Sequence, residues 1–424
     1  MRRHDAIVVG AGPAGSIAAL VLARAGVNVA IVDRRRFPRE KACGDLVGPR
    51  GVHLLDELGV SVTGARPLGD MIVVAPNNRR VLLPALPGSN YADHAIAVTR
   101  DQFDTRLFDM AVAAGAIPVQ RRVTGLVYDQ DVVDGVQVSG GATIRGDVVV
   151  GADGATSSVA HSAGLVDSAK ALWGFALRGY LDDDMDLPHI VLWEPRRWRL
   201  FPGYGWAFPM AGGGVNVGLG LAFGSDRVAS RHAGEQLANF LAHLERLGLL
   251  PRSKPRSLAG GWLKMGVRGT TPAASGVLLV GDAAGLVNPL QGEGIAQAMA
   301  SGHAAANAIL EAGPRCADRH YLAYLHGAIR HHRTNAPVHA GMVRHPLAVA
   351  LTARALSAPG IGAAVAGAWG LYWNDLAHDA LPSRHRRLAT AASRTIAAAG
   401  RRSDAAHWFT AQFPAAGPRP AGTH

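Results

Sequence analysis

Residues 5–26 read DAIVVGAGPAGSIAALVLARAG, and no other stretch constrains the fold as strongly. Residues 6–9 are a short apolar run of the kind found in a buried parallel strand. Gly10, Gly12 and Gly15 follow at G-x-G-x-x-G spacing, with Pro13 and Ala14 inside the motif. Residues 16–24 are Ala- and Leu-rich and helical in pattern, and Gly26 ends them. A second apolar run, 27–32, closes on Asp33. Each residue type has a physical task. Gly10 permits the tight turn, Gly12 lets backbone approach a pyrophosphate, and Gly15 lets helix and strand pack closely. Free N–H groups at the helix start favour an anion, and Asp33 can accept hydrogen bonds from a ribose. The expectation is a dinucleotide-binding βαβ unit.

The chain has 424 residues, 48% of them hydrophobic, enough for a large core in more than one layer or domain. Its net charge of +11 admits nucleic acid, a membrane surface or an anionic substrate as partners. Basic and aromatic residues do not interleave in the way that stacks bases, which argues against nucleic acid. Cys43 and Cys316 are the only cysteines and lie far apart, so neither a disulfide framework nor a metal cluster is expected. The N-terminal MRRHD runs straight into the first strand without a signal-peptide pattern. The most apolar late stretch, 346–373, is interrupted by Arg354 and Pro359, short of a membrane span. These features predict a cytoplasmic protein that touches the membrane surface.

After Asp33 comes a Pro/Gly-punctuated loop, RRRFPREKACGDLVGPRG. Its cations Arg34, Arg35, Arg36, Arg39 and Lys41 are candidates for adenosine or donor phosphates. Residues 51–58 look helical, and 69–98 look like strands leaving the nucleotide domain. In residues 98–115, Phe103, Leu107, Met110 and Ala111 share one helical face, with Arg100 and Gln102 at its start. Residues 117–149 read as a three-strand meander ending in GADGATS. Residues 171–261 turn to glycines, aromatics and β-formers, predicting an antiparallel sheet with one helix over 235–247. Trp173, Phe175, Tyr180, Trp193, Trp198, Phe201, Tyr204, Trp206 and Phe208 supply its core and some of a pocket lining. The pattern VLLVGDAAGLVNPLQGEG then returns to a buried strand ending on Gly281-Asp282, followed by Gly292, Glu293, Gly294 and an Ala-rich helix. The remainder, from residue 317, is Ala/Arg/His-rich and mostly helical in pattern, with a Pro/Gly-rich tail.

Five elements occur in order: GAGPAG with Asp33, KACGDLVGPRG, GADGATS, YGWAFPMAGGGVNVGLG and GDAAGLVNPLQGEG. Together they resemble the geranylgeranyl reductase family of FAD-dependent oxidoreductases, which has a p-hydroxybenzoate hydroxylase-type fold. The resemblance implies an α/β fold: a Rossmann-type FAD-binding domain (1–68, 99–170, 262–315), an inserted antiparallel-sheet substrate domain (69–98, 171–261) and a helical C-terminal region (316–424). It implies FAD as cofactor, held by Gly10, Gly12, Pro13, Ala14, Gly15, Asp33, Arg34 and Arg100 at the ADP half. Asp282, Gly292, Gly294 and Ile295 would hold the flavin half. Cys43, Tyr204 and Trp206 become the candidate catalytic residues. The family loop often carries proline where Ala42 stands. No second nucleotide-binding unit is evident, so NADPH or another reductant would visit transiently as electron donor.

The activity implied is saturation of carbon–carbon double bonds in a prenyl lipid chain by hydride from reduced flavin, with an apolar or lipid substrate. A flavin monooxygenase or halogenase shares the fold and the GADGATS element, so fold alone does not decide the chemistry. A lipid-binding flavoprotein without activity is a third reading, opposed by the intact Gly292-Glu293-Gly294 loop.

Overall fold

The computed structural model describes residues 3–74, 78, 80–83, 92–192, 204–223, 231–288 and 292–328, with backbone alone over 221–223. The first strand, His4–Val9, lies in the interior of a sheet ordered Ala273–Ala274, Val277–Leu279, Thr143–Gly151, His4–Val9, Val29–Asp33, Ile117–Gln120. Four of its five pairings are parallel; the edge pair at 273–279 is antiparallel. Strands covered on both faces must be apolar throughout, and Ala6, Ile7, Val8, Val148, Val149 and Val150 are all fully buried.

Two helices on this sheet touch almost backbone to backbone. A Cβ on Gly302, in helix Ile295–Ala312, would stand 2.1 Å from the Ala14 carbonyl oxygen in helix Pro13–Arg24. The distant GEG helix is therefore locked against the helix of the opening turn. Helix Ala317–Ala328 adds a further layer, its Tyr321 hydroxyl donating to the Leu279 carbonyl at 2.6 Å. The expected C-terminal helices beyond residue 328, the Arg-rich stretch and the 346–373 segment lie outside the described residues.

The expected three-strand meander is corrected to four strands. Val123–Asp129, Val132–Val138 and Thr143–Gly151 form the antiparallel meander. Ile117–Gln120 instead pairs in parallel with Val29–Asp33 as the edge of the main sheet.

The second sheet runs Arg256–Met265, Leu172–Leu181, Val215–Phe223, Tyr204–Pro209, His189–Val191, Met71–Val74, Arg80–Leu83. It is antiparallel except between His189–Val191 and Met71–Val74, a correction to the all-antiparallel expectation. Alternation gives the sheet two faces. Helix Ala233–Arg246 covers one of them, with Phe240 fully buried over Gly205, where a Cβ would come within 2.2 Å of its ring. The other face carries Trp206 and Phe208 and looks toward the nucleotide-binding unit. Leu46–Val47, Ala95–Ala97 and Arg66–Leu68 make a small third sheet that carries the Cys43 loop.

Candidate functional site

The opening turn is held by steric exclusion. Gly10 has φ +99°, and a Cβ there would approach the Ala152 carbonyl oxygen to 2.4 Å. A Cβ on Gly15 would lie 1.8 Å from the Gly10 oxygen, so helix and strand meet only through glycine. At Gly12 the nearest atom to such a Cβ is Arg39 Nη2 at 3.7 Å, which leaves the backbone open on a cationic side. Asp33 is oriented by the turn it serves: the Ala11 N–H donates to its Oδ2 at 2.8 Å and the Arg35 N–H to its Oδ1 at 2.8 Å. Pro13 and Ala14 begin the helix, proline at a position whose missing N–H is not needed.

The loop arginines divide. Arg34 is exposed past the strand end. Arg36 donates to Gln120 Oε1 at 2.7 Å. Arg39 folds inward, 3.4 Å from Asp104 and 3.9 Å from Asp33. Burial lowers the Arg39 pKa, with Asp104 and Asp33 opposing. Arg100, 5% exposed, makes a two-pronged pair with Asp104 at 2.7 and 2.9 Å. Burial works against its charge, but Asp104 and Cys43 more than offset this and raise its pKa. Arg39 was only one of five loop cations in sequence, and only tertiary packing against Asp104 singles it out.

The second half of the cradle comes from the far end of the chain. The strand expected to end on Gly281-Asp282 is corrected to Val277–Leu279, and Asp282 sits in the 3-10 turn Gly281–Ala283 that follows it. Gly294 caps helix Ile295–Ala312, and the Glu293 carboxylate accepts from the Ala296 N–H at 2.8 Å. A Cβ on Gly292 would reach 2.9 Å from the Tyr204 hydroxyl, so the glycine loop and the aromatic wall touch.

Lys264, 1% exposed, passes beneath this turn and donates from Nζ to the Ala283 carbonyl at 2.7 Å. Burial lowers its pKa to about 8, against the opposing charges of Asp282 and Asp153. A lysine depressed from 10.5 in the fold sheds its proton more readily than in the unfolded chain. Stability is therefore expected to rise as pH climbs from about 8 toward 10.5. Lys264→Met should flatten that part of a Tm-against-pH curve, and a curve identical to wild type would refute the assignment.

Between the two halves lies a cavity of about 190 Å³. One side presents Pro13, Arg100, Asp282 and Gly292–Ile295, the other Tyr204, Trp206, Phe208 and Met71, and the Cys43 loop closes it. This brings Cys43, Tyr204, Trp206, Asp282, Gly292, Gly294, Ile295 and Arg100 together; Gly10, Gly12, Gly15 and Asp33 stand behind Pro13 at the adjoining turn, and Arg34 is apart. Gly44 rests on the wall, where a Cβ would meet Phe208 at 3.1 Å and Trp206 Nε1 at 3.4 Å. Trp193, Trp198 and Phe201, also expected in the sheet domain, lie outside the described residues.

Cys43 is half-buried. Burial raises its pKa and the Asp45 carboxylate adds to this, while the Arg100 charge and the Asp45 N–H pull the other way. Burial likewise raises Tyr204, reinforced by Cys43 and Glu293. Both groups therefore keep their protons at neutral pH. Two residues that sequence reasoning left without a role complete the site. Asp45 accepts from the Tyr180 hydroxyl at 2.5 Å and from Asn216 Nδ2 at 2.8 Å. Asn216 in turn accepts from the Trp206 indole at 2.8 Å. The signals available were position alone, directly after Cys43-Gly44 and at the head of the Asn-Val-Gly strand.

A turn that only glycine can make, an oriented acid at the second strand end and a second acid under a glycine-capped helix fit FAD from adenosine to ring. Comparison with known proteins agrees. The FAD binding domain family matches residues 3–328. Menaquinone reductase of Mycolicibacterium smegmatis is 35% identical over 73% of this chain and 77% of that protein. Digeranylgeranylglycerophospholipid reductase 1 of Methanococcoides burtonii is 31% identical over 73% of this chain and 75% of that protein. A geranylgeranyl bacteriochlorophyll reductase-like structure from Thermoplasma acidophilum superposes with a TM-score of 0.75 at 21% identity, covering 94% of this chain and 98% of that one. The flavin-dependent brominase Bmp2 superposes at 0.70 and 17% identity, covering 95% and 100%, a likeness of fold alone. With the glycine cradle, the Cys-Gly loop and the aromatic wall in one site, the chain belongs to the geranylgeranyl reductase family of FAD-dependent oxidoreductases.

Proposed function

We propose that this enzyme saturates carbon–carbon double bonds in the isoprenoid chain of a lipid, a prenylated quinone being the first candidate. The observation that carries the reading is a pair of protonated acids, Cys43 and Tyr204, set in an otherwise apolar aromatic wall opposite the flavin half-site. Similarity to proteins named menaquinone reductase and digeranylgeranylglycerophospholipid reductase supports it. Both names refer to molecules with long isoprenoid chains.

An isolated alkene has no carbonyl to hold developing charge, so hydride and proton must arrive in a fixed geometry with water excluded. FAD held by the turn at residues 10–15, Asp33, Asp282 and residues 292–295 would supply the hydride when bound and reduced. Trp206 and Phe208 hold the chain flat against that source and keep the site dry. Cys43 gives its proton to the second alkene carbon, the S–H bond breaking as a C–H bond forms. The resulting thiolate is stabilised by Arg100 and the Asp45 N–H. Tyr204 is the second donor in reach of the cavity and closes the wall at Gly292.

NADPH is proposed as the reductant that recharges the flavin, meeting the exposed Arg34 and Arg35 beside the adenosine end. A long isoprenoid substrate resides in a bilayer, so the enzyme is proposed to work from the cytoplasm at the membrane face. The net charge of +11 supports contact with anionic lipid. No helix among the described residues is long and apolar enough to cross a membrane.

The test is anaerobic turnover with a chemical reductant and menaquinone or a geranylgeranyl phospholipid, followed by air. A gain of two hydrogens that survives air exposure marks chain saturation. A product that returns to its starting mass in air marks reduction of the quinone ring and overturns the reading.

A further inference from the structure

Three carboxylates are buried among the described polar residues, and they differ in what they meet. Asp104 and Asp134 face arginines. Asp45 is fully buried and receives hydrogen bonds from neutral side chains, Tyr180 and Asn216, while its Oδ1 has no hydrogen-bond partner among the described residues. It also sits at φ +59°, a left-handed conformation that is strained for any residue with a Cβ, though tolerated best by Asn and Asp. Asn216 is just as buried, and its amide is fully used. It donates to Asp45 at 2.8 Å and to the Cys43 carbonyl at 3.0 Å, and accepts from Trp206 Nε1 at 2.8 Å. One amide thus joins the loop of the thiol, the acid and the aromatic wall.

The acid is held at a stability cost. Burial raises Asp45 to about 6, with Tyr180, Asn216, Arg100 and Arg178 working the other way. The charged groups facing it are Arg178 from the neighbouring strand and Arg100 from the helix, and the titratable ones are the Tyr180 phenol and the neutral Cys43 thiol on its own loop. A carboxyl raised from 3.8 contributes stability below that pH and loses it as pH passes through about 6. Above that range an asparagine of the same shape would be the more stable choice. A strained, destabilising acid next to a candidate site points to function.

We propose that Asp45 and Asn216 are positioning residues, locking the Cys43 loop onto the Trp206 wall so that thiol and indole face one cavity in a fixed relation. The proposal rests on the reductase reading for its purpose, but its geometry is testable without turnover. The experiment uses the FAD-loaded Cys316→Ser protein, in which Cys43 is the remaining thiol, and measures its rate of maleimide labelling. Loss of the shared hydrogen bonds in Asn216→Ala is expected to speed labelling about tenfold. Asp45→Ala should do the same, while Asp45→Asn, which removes the charge but keeps the shape, should stay within about twofold of the parent. Asp45→Asn should also raise Tm at pH 8, with the gain vanishing near pH 4. In steady state, Asn216→Ala should lower kcat with KM nearly unchanged. Parent-like labelling in both alanine variants, with native near-UV circular dichroism, would overturn the proposal. So would a lower Tm for Asp45→Asn at pH 8, a measurement that stands even if the alanine variants fail to fold. A failure of prenyl reduction with labelling as expected would sink the reductase reading and leave the clamp intact.

Discussion

Gly15→Val is expected to yield protein that carries no FAD. A Cβ at this position would lie 1.8 Å from the Gly10 carbonyl oxygen and 3.0 Å from Ala152 Cβ. Neither neighbour is a flexible side-chain end; each directly follows one of the two strands that form the cradle, His4–Val9 and Thr143–Gly151. Helix Pro13–Arg24 must move away from the sheet, carrying the N–H groups at its start out of reach of a pyrophosphate. The same helix packs at Ala14 against Gly302, so the displacement spreads to the helix that begins at Ile295 and disturbs the flavin end as well. Overpacking of this kind costs about 1–3 kcal/mol or more, before the loss of cofactor stabilisation. Flavin released by heating the purified protein measures the outcome. Gly26→Ala is the control: Gly26 also has positive φ (79°), but nothing lies within 4 Å of an added Cβ. It should lose about 1 kcal/mol of stability and keep its flavin. A Gly15→Val protein with full FAD content would contradict the cradle.

Cys43→Ala is expected to retain FAD and bind substrate while kcat falls about 10²–10⁴-fold, the usual worth of a positioned proton donor. KM should change little, because the side chain is small and the apolar wall holds the chain. The pH profile gives the finer test. The donor must be protonated, so activity is lost as pH rises through its pKa. Burial places that pKa above the thiol's ordinary 9.0. Wild-type kcat should therefore stay level to about pH 9 and decline beyond it, and Cys43→Ala should lack that decline. An unchanged kcat in Cys43→Ala would shift the proton to Tyr204, the other protonated group on the cavity.

Legibility followed the range of the forces involved. The opening turn, Asp33 and the Asp282 strand end were readable because their constraints act over a few neighbouring residues. Steric exclusion at Gly10 and Gly15 leaves a mark in spacing. Cys43, Tyr204 and Trp206 were named from family resemblance, and the fold then brings residues about 160 positions apart to one cavity. The Asp45–Asn216 bond was not readable, since it joins positions 171 residues apart and local pattern carries no register between a loop and a distant strand. Ile117–Gln120 was misread for a related reason. Its alternation suits a strand, but whether it joins the next hairpin or the parallel edge depends on the partner, Val29–Asp33. Likewise nothing local says that Met71–Val74 pairs in parallel with His189–Val191. Arg39 was hidden among equivalent cations until Asp104 drew it inward.

Whether the site carries out the proposed alkene reduction or oxygenates its substrate is decided most directly by one anaerobic measurement. The FAD-loaded enzyme is reduced without oxygen, mixed with a prenyl lipid, and followed by flavin absorbance and product mass. Return of the oxidised flavin spectrum before any air is admitted, with two hydrogens gained by the lipid, is the result expected. A spectrum that stays reduced until oxygen enters, followed by a product one oxygen heavier, would contradict it.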